Sequence, residues 1–341
     1  IVDQLSTEEL IALATGDPAK DQGASALGSA GQTVPGAAAE TVSVAEKAPY
    51  YVASIVLADG PAGLRLRSEY QVREDGSIDG GEFLDGFENG YFAEPKESKG
   101  IVYHQYCTAI PVGTLLAQSW NLKLMHTLGR MIAGEMNEFE VTLWLAPGMN
   151  IHRNPLCGRN FEYYSEDPYL AGEIAAAFIN GVQSQHVGTS IKHFAANNQE
   201  YHRMSNSSEA DERTLREIYF PAFETAVKKA QPYTFMCSYN QINGTFASEN
   251  KWLLTDVLRN DWGFEGYVMS DWGAVNDRVK GLEAGLDLEM PGSNGTNDAL
   301  IMEAVKNGTL KEEVLDQAVE RILNIIYKYA DHRAPQEFTM E

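Results

Sequence analysis

Short apolar runs alternate with helical stretches along most of the 341-residue chain. Several of the runs are continuously apolar, as is typical of strands buried on both faces of a parallel sheet. The clearest helical patterns between them cover 169–185, 211–230 and 311–330. The apolar runs lie at 53–61, 106–114, 141–150, 189–198, 233–241, 265–273 and 284–292. This alternation predicts a parallel α/β fold, and the number of strand candidates favours a (β/α)8 barrel of the TIM type.

An open doubly wound sheet is the competing architecture. It is disfavoured because no G-x-G-x-x-G follows the first apolar run, as a dinucleotide-binding sheet of this kind requires. Two stretches interrupt the alternation, 16–40 and 67–100, and we expect both to be long loops. Residues 1–330 are predicted to form one barrel domain, and 331–341 to begin a linker to a second domain.

The composition disfavours several kinds of partner. Lys+Arg 26 against Asp+Glu 48 give a net charge of −22, which repels nucleic acid and anionic membranes. No apolar run reaches the roughly 18 residues that a membrane-spanning helix needs. Cys107, Cys157 and Cys237 are far apart and form no C-x-x-C pair, which argues against a disulfide framework. We therefore expect a reducing, cytoplasmic location.

The first residues do not resemble a signal peptide, because they lack a basic start and a long apolar centre. Ser6 and Glu9 instead have the spacing of a capping box, which predicts a helix that begins there. Because the chain starts with Ile1 rather than Met, we expect that upstream residues have been removed, and secretion stays open. A homo-oligomer also stays open.

Polar or aromatic residues follow nearly every apolar run, where the carboxyl ends of parallel strands would converge. These residues are Asp59, Asn150, His152, Lys192, His193, Tyr239, Asn240, Asp271, Trp272, Asp287 and Glu289. Acids, amides and a phenol offer directional hydrogen bonds, and Trp144, Trp272 and Tyr239 offer flat apolar faces. A sugar needs both, so the pattern predicts a carbohydrate pocket. The histidines lack metal-binding spacing, and no metal or other cofactor is implied.

Five sequence blocks carry a resemblance to a known family. They read DGPAGLR, GRNFEYYSEDP, KHFAANNQEYHR, CSYN, and GYVMSDWGA with a following GLDLEMPG. In order and wording they resemble the glycoside hydrolase family 3 β-glucosidases, from about Ser6 to the end of the chain. The resemblance implies the N-terminal barrel domain of a retaining, exo-acting β-glucosidase. Its substrate would be a β-glucoside or a short β-gluco-oligosaccharide.

The resemblance also implies roles for individual residues. Asp271 corresponds to the nucleophile, which attacks the anomeric carbon and forms a covalent glycosyl-enzyme. Trp272 corresponds to the wall of the first sugar subsite, and Tyr239 to a tyrosine close to the nucleophile. The other residues are implied to contact sugar hydroxyls or line the pocket: Asp59, Arg65, Arg159, Lys192, His193, Arg203 and Met236. We expect neighbouring cations to keep Asp271 ionised at neutral pH.

Each of these residues also has a purely structural interpretation. Asp271 is a candidate N-cap of the next helix, because aspartate is common at that position. Trp272 and Met236 are candidates for ordinary core residues. Arg159 is a candidate for an ion pair with Glu162 or Asp167, both a short distance further along the chain.

Retaining hydrolysis needs a second carboxyl group, a general acid/base about 5 Å from the nucleophile. In the β-glucosidases that the chain resembles, a Glu of a second α/β domain supplies this group, and we expect such a domain to follow 331–341. Asp287 and Glu289 are possible internal acids, but the resemblance gives neither of them that role. The chain alone is therefore expected to be inactive or feeble.

Three alternative functions stay open. The first is a family 3 β-xylosidase or other β-glycosidase, which would differ in its sugar preference. The second is a Schiff-base aldolase that uses Lys192 as its nucleophile. The third is a sugar-binding barrel without catalytic activity. Hexosaminidase activity is disfavoured, because the segment after Phe194 is not the Gly- and His-rich loop of the family members that cleave N-acetylglucosamine.

Overall fold

The computed structural model describes residues 1–17, 33–47, 50–79 and 100–330. The strands are β1 (Ala39–Glu40), β2 (Val44–Lys47), β3 (Tyr50–Val52), β4 (Val56–Ala58), β5 (Glu69–Val72), β6 (Ile78–Asp79), β7 (Ile101–His104), β8 (Leu143–Trp144), β9 (Gly188–Phe194), β10 (Ser207–Ser208), β11 (Thr234–Cys237), β12 (Gln241–Ile242), β13 (Thr245–Phe246) and β14 (Tyr267–Met269). The α-helices are α1 (Thr7–Leu13), α2 (Gly113–Gln118), α3 (Leu122–Glu138), α4 (Pro168–Gln183), α5 (Glu212–Thr214), α6 (Pro221–Ala230), α7 (Arg278–Ala284), α8 (Thr296–Lys306) and α9 (Glu312–Ala330). Helices of π type cover Leu215–Tyr219 and Trp252–Asp261.

One sheet forms the wall of the molecule, in the strand order β1-β4-β8-β9-β11-β14. The pairs from β4 to β14 are parallel, whereas β1 runs antiparallel to β4. Beyond β14, Leu288 bridges that strand and Glu289 bridges Thr15. Gly16 then bridges Thr41, directly after β1, so the pairing returns to its starting strand. The predicted TIM-like barrel is confirmed, with one antiparallel segment in its wall.

Arg278 holds together the chain segments at which this barrel closes. Its guanidinium is fully buried and donates to the backbone oxygens of Leu286 (2.9 Å), Asp287 (2.9 Å) and Ala14 (3.1 Å). A Glu289 carboxylate oxygen lies 3.8 Å from its Nε. The side chain thus joins the segment after α1 to the segment after α7, two parts of the chain that are far apart in sequence.

The strands of the wall are buried, as expected where helices cover the outer face of a barrel and strand side chains fill its interior. All seven residues of β9 are buried, in agreement with the continuous apolar pattern. The backbones of α3 and α4 approach each other closely. A Cβ atom added at Gly129 would lie 2.4 Å from the backbone oxygen of Phe178, and a Cβ atom added at Gly181 would lie 2.2 Å from the backbone oxygen of His126. Glycine at both positions allows this contact.

Two of the predicted strands take a different form. The run 106–114 forms no strand, because Pro111 has no N–H for a ladder and α2 begins at Gly113. The run 284–292 is not a regular strand either, and it joins the wall through the single bridges of Leu288 and Glu289. The remaining apolar runs each contain all or most of a barrel strand, and α4 and α9 coincide closely with two of the predicted helical stretches. The third stretch, 211–230, is divided among α5, a π-helix and α6.

The stretches expected to be loops contain short strands where the structure describes them. Residues 33–40 include β1, and residues 67–79 include β5 and β6. Strands β6, β5 and β7 form a separate three-stranded antiparallel sheet. The rest of the two predicted loops, 18–32 and 80–99, and the predicted linker 331–341 lie outside the described residues.

The predicted capping box is present at the start of α1. The Glu9 N–H donates to Ser6 Oγ at 3.3 Å, and the Ser6 N–H donates to Glu9 Oε2 at 2.7 Å. Within the described ranges, no helix combines the length and the apolar character needed to cross a membrane.

Candidate active site

The predicted pocket residues cluster at the carboxyl ends of four parallel strands. Asp59 follows β4, Lys192 and His193 end β9, Tyr239 follows β11, and Asp271 follows β14. Arg159 from the loop after β8 and Arg203 from the loop after β9 join them. The site contains two aspartates in contrasting surroundings.

Asp59 is bonded on both carboxylate oxygens. Lys192 Nζ donates to Oδ1 at 2.7 Å, and the guanidinium of Arg65 donates to Oδ2 at 2.9 Å. Burial opposes ionisation, but the charges and hydrogen bonds of Lys192 and Arg65 outweigh it and hold the pKa of Asp59 below its usual range. Asp59 is therefore an ionised acceptor between two cations, which suits it to bind hydroxyl groups.

Asp271 is less completely satisfied. Its Oδ1 accepts the backbone N–H of Trp272 at 2.7 Å, whereas its Oδ2 has no hydrogen-bond partner among the described residues, although it is buried. Burial raises the pKa of this carboxyl above the usual aspartate value, and three cations, Arg159 foremost, offset only part of that rise. A buried carboxylate oxygen without a partner is unusual and is open to a ligand.

His193 lies between Asp271 and a tyrosine. Its Nε2 is 3.7 Å from Asp271 Oδ2, and its Nδ1 is 3.0 Å from the hydroxyl of Tyr163. The Asn150 amide holds the backbone of His193, accepting its N–H at 2.8 Å and donating to its carbonyl at 2.9 Å. Burial, reinforced by three nearby cations, lowers the pKa of His193 well below its usual value, so the imidazole is neutral.

The two loop arginines each pair with an acid. Arg159 donates to Glu162, which confirms the ion pair that the sequence offered as a structural alternative. Burial works against the charge on Arg159, but Glu162 raises its pKa above the usual value. Arg203 pairs with Glu200 at 2.9 Å, and its guanidinium carbon lies 4.6 Å from the centre of the Tyr239 ring. Because a guanidinium has five donors, both arginines keep donors for a ligand.

Tyr239 and Trp272 adjoin the site, and Met236 packs in the apolar cluster that contains Trp272. The Tyr239 hydroxyl donates to the backbone oxygen of Trp272 at 2.9 Å, and burial raises the pKa of this tyrosine, so the phenol stays protonated. Trp272 is 9% exposed, and within the described chain its indole N–H has no partner. Met236 is only 2% exposed and belongs to the same apolar cluster as Trp272, as its core interpretation predicts.

Several residues that were expected at the pocket serve the scaffold instead. Trp144 is completely buried, its indole N–H donates to the Gly60 carbonyl at 3.0 Å, and its ring packs on Phe178, so the prediction that it faces a sugar is wrong. His152 lies with its Nε2 2.9 and 3.0 Å from the backbone oxygens of Asn160 and Tyr163. It therefore fixes the loop that carries Arg159.

The acids of the last apolar run are also held by the scaffold. Asp287 is paired with Arg259 at 2.6 Å and with Arg321 at 2.8 Å. Glu289 accepts from the Asn297 amide at 2.6 Å, and burial raises the pKa of its carboxyl. The expectation that both side chains point into the pocket is therefore wrong. The sequence pattern alone does not distinguish an acid where the barrel closes from an acid in the pocket.

The helix-cap interpretation of Asp271 is wrong. The next helix, α7, begins at Arg278, and its N-cap is Asp277, whose carboxylate accepts the N–H of Lys280 at 3.1 Å. In the part of the chain that the structure describes, no group of three or more His, Cys, Asp or Glu side chains is arranged to hold a metal ion.

Sequence reasoning missed two contacts of the site. It did not pair Arg203 with Glu200, although the spacing of three residues is the same as that of Arg159 and Glu162. It also gave no role to Tyr163, because no sequence pattern links this residue to His193, thirty positions away.

Several known proteins are similar in sequence to this chain. The model of the glycosyl hydrolase family 3 N-terminal domain matches residues 94–325. Thermostable β-glucosidase B from Acetivibrio thermocellus is 50% identical over 282 residues, covering 83% of this chain and 34% of that protein. An exo-α-(1→6)-L-arabinopyranosidase from Bifidobacterium breve is 54% identical over 221 residues, covering 65% of this chain and 29% of that protein.

A solved structure shares the fold as well. β-Glucosidase 3B from Thermotoga neapolitana, in complex with α-D-glucose, superposes with a TM-score of 0.80 at 44% identity. The match covers 97% of this chain and 43% of that protein, so the chain spans less than half the length of the relatives named here. From the matched domain and the identities to these relatives, the chain belongs to glycosyl hydrolase family 3.

Proposed function

We propose that this barrel is the sugar-binding and nucleophile-bearing part of a retaining, exo-acting β-glucosidase, with Asp271 as its nucleophile. The observation that carries the proposal is the buried Oδ2 of Asp271, which has no partner in the described chain and lies beside a neutral imidazole and three cations. The names of the relatives, β-glucosidases for the most part, support a β-glucoside as the substrate.

The proposed reaction has two displacements at the anomeric carbon. In the first, Oδ2 of Asp271 bonds to that carbon while the bond to the leaving-group oxygen breaks, and a general acid protonates that oxygen. In the second, a water molecule gives up a proton to the same group acting as base, bonds to the anomeric carbon, and releases the Asp271 carboxylate. Two inversions give net retention.

The remaining residues hold the terminal sugar in this scheme. Asp59, flanked by Lys192 and Arg65, is suited to bind hydroxyls distant from the reacting carbon. Arg159, Arg203 and His193 surround the nucleophile and are suited to bind the hydroxyls close to it. Tyr239 and Trp272 form the adjoining walls. Charged groups that saturate the hydroxyls of one sugar fit an enzyme that removes terminal residues.

The general acid/base is proposed to come from a second α/β domain outside this chain. Asp287 and Glu289, the acids that sequence reasoning offered within the barrel, are held by scaffold partners. The chain alone should therefore cleave only glucosides whose leaving group departs without a proton. A dinitrophenyl glucoside meets that condition, because dinitrophenolate is a stable anion.

The test is to treat the chain with 2,4-dinitrophenyl 2-deoxy-2-fluoro-β-glucoside and to map the added sugar by peptide mass spectrometry. The fluorine slows the second displacement, so the glycosyl-enzyme should accumulate on the peptide that contains Asp271. Asp271→Asn should take up no label. Asp277→Asn is the matched control, because it lies in the same region, caps α7 and should label as the unmodified chain does. A label on another residue, or none while glucose still binds, would contradict the proposal.

The runner-up is a pentopyranosidase of the same family. The 54% identity to an exo-α-(1→6)-L-arabinopyranosidase favours it, and arabinopyranosides, like xylosides, lack the exocyclic CH2OH of glucose. Comparison of labelling by dinitrophenyl glucoside, xyloside and arabinopyranoside separates these possibilities. The named relatives are all glycosidases, which favours this class over a Schiff-base aldolase at Lys192 or a non-catalytic barrel.

A further inference from the structure

Tyr163 lies against the imidazole of His193, at the ring nitrogen that does not approach the nucleophile. The Tyr163 hydroxyl is 3.0 Å from Nδ1, and the two rings meet edge to face, with their centres 6.1 Å apart and their planes at 72°. The other ring nitrogen, Nε2, is the one 3.7 Å from Asp271 Oδ2. The imidazole therefore links a tyrosine in the loop after β8 to the carboxylate at the end of β14.

The direction of the tyrosine hydrogen bond follows from its surroundings. Tyr163 is completely buried, and burial raises its pKa well above the usual value, so the phenol keeps its proton. Nδ1 of His193 is the partner that the described chain offers to this hydroxyl. A hydroxyl that donates to Nδ1 requires an unprotonated nitrogen there, so the single proton of the neutral ring lies on Nε2.

Packing holds both rings in this arrangement. A Cβ at Gly148 would lie 2.9 Å from the Tyr163 ring, so the ring rests directly on the backbone of the loop after β8. Thr114 donates to the backbone oxygen of Tyr163 at 3.1 Å, and the Asn150 amide fixes the backbone of His193 on both sides. Neither ring is free to turn away from the other.

We propose that Tyr163 is a positioning residue, whose hydroxyl fixes His193 as the neutral Nε2–H tautomer. The ring then presents a hydrogen-bond donor beside the nucleophile. Because Nε2 and Asp271 Oδ2 are 3.7 Å apart, too far for a hydrogen bond, this donor is available to a sugar hydroxyl. That last step rests on the proposed function, whereas the tautomer itself does not.

The first experiment reads the tautomer directly. The chain is labelled with 15N-histidine, and the His193 ring signals are assigned by their loss in His193→Gln. At neutral pH the unmodified chain should show a proton on Nε2 and an accepting Nδ1. Tyr163→Phe should move the Nδ1 signal to that of a nitrogen without a donor partner, or show exchange between the two tautomers.

Tyr164→Phe is the matched control for this spectrum. Tyr164 is the next residue, it is 4% exposed, and its hydroxyl makes no hydrogen bond to the described residues. Its loss should leave the His193 signals unchanged. A proton on Nδ1 in the unmodified chain, or an unchanged spectrum in Tyr163→Phe, would overturn the proposal, and neither result depends on glycosidase activity.

The second experiment uses labelling by activated glucosides. Tyr163→Phe should lower the apparent second-order rate constant about fivefold to tenfold, the size of one neutral hydrogen bond. The loss should disappear for the one deoxy-glucoside that lacks the hydroxyl bound by His193, since the donor then has no acceptor to serve. An equal loss with every deoxy-glucoside would indicate a general structural effect and refute the positioning role.

Discussion

Asp59 and Asp271 follow parallel strands of the same barrel, yet their surroundings differ. Asp59 is in direct contact with Lys192 and Arg65 on both oxygens, and its pKa lies below the usual range. Asp271 has cations nearby but no direct bond to one, and burial raises its pKa. Under the proposed function, one residue type serves two purposes: the carboxylate bonded on both oxygens would bind the sugar and stabilise the fold, and the one with an oxygen unpaired among the described residues would react.

Replacement of Asp271, the carboxylate with an oxygen unpaired in the described part of the chain, is expected to give the largest loss of activity. Asp271→Asn should slow dinitrophenolate release from an activated glucoside by at least about 10³-fold, because an amide oxygen is a poor nucleophile. Glucose affinity, measured by calorimetry, should change much less. A variant that keeps the release rate would show that the two aspartates do not divide their roles in this way.

Replacement of Asp59, the carboxylate bonded on both oxygens, should affect glucose binding. Asp59→Asn is expected to weaken glucose binding about 10- to 100-fold, since it removes charge-assisted hydrogen bonds, and to leave the maximal labelling rate less affected. Lys192→Met should act in the same direction. Asp75→Asn is the control, because that exposed aspartate bonds only to Ser77 among the described residues. Equal effects on affinity and maximal rate would remove the distinction between the two sites.

Asp59→Asn and Asp271→Asn should differ in their effect on stability. The lowered pKa of Asp59 means that its ionised form stabilises the fold above the ordinary aspartate value of 3.8, and that this contribution is lost as the pH falls through the folded pKa. The raised pKa of Asp271 means that its ionisation costs stability as the pH rises. At pH 7, denaturant unfolding should therefore show Asp59→Asn less stable by about 1–3 kcal/mol. Asp271→Asn should be unchanged or more stable, and a loss of stability there would contradict the comparison.

The smallest expected effect is on the pH dependence of labelling. The rate should fall on the acid side with an apparent pKa above 3.8, because Asp271 must be ionised to attack. Arg159→Gln should raise that apparent pKa by about one unit or less, since it removes the cation that most favours ionisation. Arg213→Gln, an exposed substitution on α5, should leave the profile unchanged. If the apparent pKa of the acid limb were 3.8 or lower, a group other than Asp271 would control the labelling rate.

Local patterns in the sequence were enough to predict much of the molecule. Continuous apolar runs identified the barrel strands, and serine with glutamate three residues later identified the start of α1. Apolar character alone did not reveal that 106–114 is no strand, because the single Pro111 decides against a ladder. It also did not separate Trp144, which points into the core, from Trp272, which borders the site.

Contacts between distant parts of the chain were beyond such patterns. The pairing of Asp287 with Arg259 and Arg321 depends on where two helices return to the wall, and no local signal reports that. The approach of Tyr163 to His193 likewise depends on how the loop after β8 lies against the end of β9. The resemblance to a family supplied the candidate residues, but their protonation and partners required coordinates.

The closure of the barrel through residues near the N-terminus has a consequence for how the protein is divided. The family match begins at residue 94, yet Asp59, β1, β4 and the segment containing Thr15 all precede it. A fragment trimmed to the matched boundaries would lose three adjoining pieces of the wall and one of the two aspartates. It would also leave the Arg278 guanidinium without the Ala14 carbonyl, so the structural unit extends beyond the boundaries of the family match.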